Sequence, residues 1–234
     1  MEEGKNTDRK KVNVGLFASG SGSDANSIMT AWRDGFLPDV NIACLISTKE
    51  NAYCLERAKA MKVKTDTIPR RHLLDHEFAN HVKLTLISNR IKLVFLVGCV
   101  HKIPPVSNVI MYNIHPADPA SHGGNTMYGL DVHRHVLREI RDQLIRGMKT
   151  IRDRFFTYPT VHEASEDYDQ GKMLMRLAVE IPRELIEEFM SRRITLGKAA
   201  GKLQKIVLPY EWLMLPTAVK IAAKKLMDER GMST

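Results

Sequence analysis

The chain has 234 residues, 44% hydrophobic and 26% charged, which suits one large α/β domain of ordinary globular composition. No uninterrupted apolar run approaches the roughly 20 residues of a membrane span. A formal net charge of +8 favours anionic partners such as nucleotides and folates. No Lys/Arg block is interleaved with aromatics, so most of that excess is read as solvated surface and nucleic acid is not expected.

Residues 1–11 are polar, mixed in charge and without the apolar core of a signal peptide. They are expected to be a disordered tail before a single domain over 12–234. The segment 12–18 (VNVGLFA) predicts a buried strand, 19–24 (SGSGSD) a glycine-rich turn, and 25–33 a helix. Strand, glycine turn and helix form a phosphate cradle, because successive backbone N–H groups and a helix start face one anion. Gly20, Gly22 and Ala25 also fit the dinucleotide spacing, but the second strand, 41–47, ends in Ser47-Thr48-Lys49 with no acid, which disfavours NAD. A helix over 52–61, a short strand over 64–69, a helix over 75–89 and an apolar strand over 93–98 follow. Strands alternating with helices imply a Rossmann-like, mostly parallel sheet with helices on both faces. The three cysteines, Cys44, Cys54 and Cys99, have no metal-ligand spacing and are expected to be reduced, buried thiols in the cytoplasm.

Asn113-Ile114-His115-Pro116 is the stretch that carries chemistry. An Asn and a His two apart on an extended segment share one face. Together they supply an amide donor and a titratable imidazole, which acyl transfer needs while charge develops on a carbonyl oxygen. The segments 19–24, 99–105 and 113–116 should all fall at the carboxyl edge of the sheet, where ligands of such sheets bind. Residues 130–156 predict a long basic helical region broken at Gly147. Leu137, Ile140, Leu144 and Met148 would form its apolar stripe. An extended run over 158–163, an acidic loop over 165–171 and a strand over 172–181 follow. Three helices, over 183–193, 195–205 and 208–230, complete the chain.

Taken in order, several fragments resemble the folate-dependent formyltransferase family. Residues 14–26 (VGLFASGSGSDAN) resemble its first strand and phosphate loop, and 93–105 (LVFLVGCVHKIPP) its folate-side strand and loop. Asn113–Pro116 is its signature tetrapeptide. Tyr128-Gly129 with His133 resembles its aromatic–Gly–His spacing. Thr160-Val161-His162, then Asp169 and Gly171, resembles its His and Asp segment. Glu211 with Pro216 resembles a helix that meets a ribose.

The resemblance implies the formyltransferase fold and transfer from 10-formyltetrahydrofolate, a co-substrate, with no metal. The implied acceptor is the amine of glycinamide ribonucleotide in purine biosynthesis. An amino-sugar nucleotide or aminoacyl-tRNA acceptor, or a non-catalytic folate- or nucleotide-binding relic, are the alternatives. Asn113 and a protonated His115 would stabilise the oxyanion, with Asp169 keeping His115 charged. Backbone groups around Val100, His101 and Ile103, with Ala164 and Asp167, would hold the pterin. Gly22 and Ser23 would hold the substrate phosphate, Glu211 its ribose, and His162 would order the loop of Asp169. The family usually has Asn where this chain has Asp24, a carboxylate that would repel phosphate or else cap the following helix. The loop 117–128 and the connection between His133 and Tyr158 are longer than the family's, so the resemblance implies a helical insertion near 134–157. A monomer or homodimer is expected.

Overall fold

Apolar and β-branched runs give the five parallel strands of the sheet: β1 (Val12–Phe17), β2 (Val40–Ser47), β3 (Thr65–Thr67), β4 (Leu93–Leu96) and β5 (Ile110–His115). The computed structural model describes residues 11–124, 127–164, 171–229 and 231. The seven-stranded order is β3-β2-β1-β4-β5-β7-β8, where β7 is Thr160–Glu163 and β8 is Met173–Arg176. β5 is the seam: it runs parallel to β4 and antiparallel to β7. The central strands read as continuous hydrophobic runs because both of their faces are covered.

One face packs against α1 (Ser23–Arg33), α2 (Tyr53–Ala60) and the later half of a long helix, α7 (Leu196–Glu229). The other face packs against Phe78, Val82 and Leu86 of α3 (Asp75–Ser88). A separate core lies beside the sheet. It joins α5 (Leu130–Ile145), α6 (Arg183–Met190), the first half of α7 and an antiparallel pair, β6 (Phe155–Thr157) with β9 (Val179–Ile181).

Three expectations about elements are corrected. The region 130–156 is not one helix: α5 ends at Ile145, Gly147 takes φ 68°, and the chain emerges as strand β6. Leu137 and Ile140 are buried as the stripe requires, but Met148 lies beyond the helix and is 69% exposed. The strand over 172–181 is two, β8 and β9, in different sheets, parted where Leu177 N–H donates to Pro159 O. The last two predicted helices are one helix of 34 residues, about 51 Å long. Pro209 and Pro216 lie inside it. Each removes one backbone bond, and packing on two cores offsets the loss. Among the described residues α7 is long and apolar enough to cross a membrane, but half of that stretch is buried, with Leu203, Val207, Met214, Leu215 and Val219 among the residues that fill the two cores. Cys44 and Cys54 are buried, Cys99 is half-buried, and all three are free.

Candidate active site

The loops after β1, β4 and β5, the start of α5 and the middle of α7 enclose a cleft of about 560 Å³. Its floor begins at the β1–α1 loop. Gly22 holds φ 68°, and a Cβ there would sit 2.4 Å from Cys54 Cβ, so only glycine lets this loop press against α2. Cys54 N–H donates to Gly20 O at 3.1 Å and stitches the two together. The α1 backbone starts at Ser23 with its first N–H groups at the cleft, an arrangement that suits an anion.

β5 brings Asn113 and His115 to the opposite wall. Asn113 lies across from Leu96 on one side and His162 on the other, and His115 lies across from Thr160. Both line the cleft, as the two-residue period requires. His115 is 3% exposed, and its Nε2 lies 2.9 Å from the backbone O of His122. His162 Nδ1 meets Glu163 O at 2.9 Å.

Asp24 on α1 and Glu211 on α7 form the acidic end. Asp24 does not cap α1: the cap residue is Gly22, and no side chain caps the helix. Burial pushes the Asp24 carboxyl up to about 6, against the pull of the Trp212 side chain, and among the described residues Asp24 Oδ1 has no hydrogen-bond partner. Glu211 is 5% exposed rather than a surface glutamate. Burial, then the charge of Asp24, raises its carboxyl well above the usual range. His133, on α5, is 1% exposed. Burial and the neighbouring His115 hold its imidazole down at about 4, so it is neutral at ordinary pH.

The remaining wall comes from the segment after β4. Ile103 is buried, Val100 is exposed and lines the opening, and Gly98 takes φ 79°. His101 Nδ1 meets Thr48 Oγ1 at 2.8 Å, which in turn meets Ser19 Oγ at 2.7 Å. Burial, then Lys49 and Arg70, lowers the His101 pKa. An adjoining cleft of about 580 Å³ shares Gly20 and His101 and carries Lys49, Glu50 and Arg71.

The structure thus brings Gly22, Ser23, Asp24, Val100, His101, Ile103, Asn113, His115, Ala164 and Glu211 to one cavity. Asp167 and Asp169 lie outside the described residues. Ala164, which precedes their segment, lines the cavity, and Glu163 N–H donates to Lys172 O at 2.9 Å across its base. Gln204 and Leu208 also line the cavity and were missed. Their signal was present: 204, 208 and 211 share one helical face, which a break before Pro209 hides. No group of three or more metal-ligating side chains occurs among the described residues.

A family model described as formyl transferase matches residues 12–203. The chloroplast phosphoribosylglycinamide formyltransferase of Arabidopsis thaliana is 25% identical over 199 residues, which cover 82% of this chain and 63% of that one. The phosphoribosylglycinamide formyltransferase of Haemophilus influenzae is 27% identical over 191 residues, 76% of this chain and 78% of that one. The chain therefore spans less than two thirds of the Arabidopsis relative. Glycinamide ribonucleotide transformylase 1 of Symbiobacterium toebii shares the fold with a TM-score of 0.70 and 22% identity, over 92% of this chain and 89% of that one.

Proposed function

Because the chain belongs to the formyl transferase family, we propose that it transfers a formyl group from 10-formyltetrahydrofolate to the primary amine of glycinamide ribonucleotide. The observation that carries this reading is the pairing of Asn113 and His115 on one strand, facing the glycine-lined start of α1 across a single cleft. The amine lone pair attacks the formyl carbon, and the carbonyl electrons move onto oxygen. Asn113 and a protonated His115 donate hydrogen bonds to that oxygen as its charge grows. Collapse breaks the bond to the folate nitrogen, which takes up the proton that the amine gives, by way of Asp169 or a water.

The residues at hand suit the folate. The flat pterin would lie against Val100, Ile103 and Ala164, with its ring N–H, amine and carbonyl groups turned to the backbone after β4. An anionic glutamate tail leaving the cleft would meet Lys49 and Arg71. At the other end the backbone of Gly22 and Ser23 would take the acceptor phosphate, and Glu211 would accept from ribose hydroxyls. Three unpaired thiols support a reducing compartment such as the cytoplasm. The buried Asp24–Glu211 pair favours a second reading in one respect: an acceptor with a hydroxylated sugar and no phosphate at that end, as an amino-sugar nucleotide could present.

The test is formylation of a panel of amines by the purified protein with 10-formyltetrahydrofolate. Glycinamide ribonucleotide should react, and its dephosphorylated form should compete at least tenfold less well. Equal competition would transfer the assignment to the second reading, and no reaction with any amine would end both.

A further inference from the structure

His115 is held by a device outside its own strand. Its Nε2 lies 2.9 Å from the backbone O of His122, and a carbonyl oxygen only accepts. Nε2 therefore carries a proton whether the ring is neutral or charged. Any proton that His115 gains or gives up sits on Nδ1.

That carbonyl lies seven residues on, at the end of a single helical turn, α4 (Pro119–His122), followed by Gly123 and Gly124. Two anchors fix the turn. At its start Asp118 accepts from Ala120 N–H at 3.0 Å and meets Arg176 at 3.6 Å. At its end the His122 side chain is gripped by α5: its Nδ1 is 3.0 Å from His135 Nδ1, and its Nε2 is 3.3 Å from Glu139 Oε2. The two imidazoles meet edge to face, 5.1 Å apart.

The donors and acceptors allow one consistent arrangement for neutral rings. Glu139 accepts from His122 Nε2–H, which leaves His122 Nδ1 as the acceptor for His135 Nδ1–H. Burial favours the neutral His122 ring this requires, assisted by His135 and opposed by Glu139 and Asp118.

We propose that His122, clamped by His135 and Glu139, is a positioning residue that fixes His115 with one proton on Nε2 and so makes Nδ1 the nitrogen that carries the second proton and donates to the growing oxyanion. The clamp uses α4 and the first three turns of α5. It meets His115 through a main-chain oxygen. Its rate readout rests on the formyl-transfer reading, whereas its tautomer readout does not.

The experiment is long-range proton–nitrogen spectroscopy on the full chain with nitrogen-15-labelled histidine, with His115 assigned by its absence in His115→Gln. Wild type above the titration of His115 should show the Nε2–H pattern alone. In His122→Ala, which keeps the carbonyl but loses the clamp, the two His115 nitrogens should average towards a mixture of tautomers. The kcat for formyl transfer should then fall about tenfold, with both KM values within about twofold. His135→Gln offers an amide N–H to His122 Nδ1 and should restore most of both readouts, whereas His135→Leu should not. Thermal melts identify any unfolded variant, in which case Glu139→Gln, on an exposed side chain, replaces it and should show a smaller change of the same kind. An Nδ1–H pattern in wild type would overturn the proposal. So would a folded His122→Ala that keeps both the Nε2–H pattern and its kcat. If wild type formylates no amine while the tautomer pattern follows the clamp, the positioning role stands and the assigned reaction falls.

Discussion

Three side chains at the cleft, the half-buried Asp24 and the buried Glu211 and His133, are all pushed towards their neutral forms, and two of them push stability in opposite directions with pH. Asp24 rises from 3.8 to about 6, so the folded chain keeps a proton that the unfolded chain releases. Its contribution is fully present below pH 4 and is lost as pH rises through 6, about 3 kcal/mol in all. His133 falls from 6.5 to about 4, so its contribution is present above 6.5 and is lost as pH falls through 4, again about 3 kcal/mol. Between pH 4 and 6.5 these two nearly cancel, and Glu211, raised above the usual carboxylate range, adds a loss of its own as pH rises. Wild type should therefore lose stability as pH rises across that window, Asp24→Asn should flatten the slope, and His133→Gln should steepen it. Thermal melts at half-unit steps check both slopes. Asp24→Asn should also lower the KM for a phosphorylated acceptor, since a negative neighbour leaves the phosphate end, whereas Glu211→Ala should raise it. His115→Ala should cost on the order of a hundredfold in kcat. Near-normal turnover would show that another group stabilises the oxyanion. Asn113 and His115 were legible in the sequence because a strand repeats every two residues. The neutrality of His133 was not, because burial is set by elements far apart in the chain.

Short-range rules read most elements well. Glycines, prolines and apolar runs marked β1, β2, α1, α2 and α3 to within a residue or two of their bounds. The rules failed where tertiary contacts override a local breaker. The break before Pro209 signals a helix end, yet α7 runs through it because each half is packed on its own core. Residues 172–181 signal one strand, yet the two halves pair with different partners. Gly22 shows the opposite case, a local signal with a tertiary cause. Its φ of 68° and the 2.4 Å approach to Cys54 mean that Gly22→Ala must shift either the loop or α2. We expect a loss of about 2–3 kcal/mol in stability by denaturant titration. The acceptor KM should rise more than tenfold while the folate KM changes little, because only the acceptor end is built on that loop. Equal weakening of both substrates would mean that the loop carries the whole cleft.

At the scale of the molecule, α7 belongs to both hydrophobic cores. Ala199, Ala200, Leu203 and Val207 serve the smaller core, and Met214, Leu215, Ala218 and Val219 serve the sheet core. Gln204, Leu208 and Glu211 face the cleft where the two stretches meet. The cleft thus sits over the span where a single beam passes from one support to the other, and that span includes Pro209, whose missing N–H leaves it one bond short. A ligand lodged there braces the beam at its weakest point and shares its load between the supports. Amide exchange should register this as slower opening of β6, β9 and α6, none of which lines the cleft, when an acceptor nucleotide is bound. Protection confined to the cleft walls would mean that the two supports settle and give way independently.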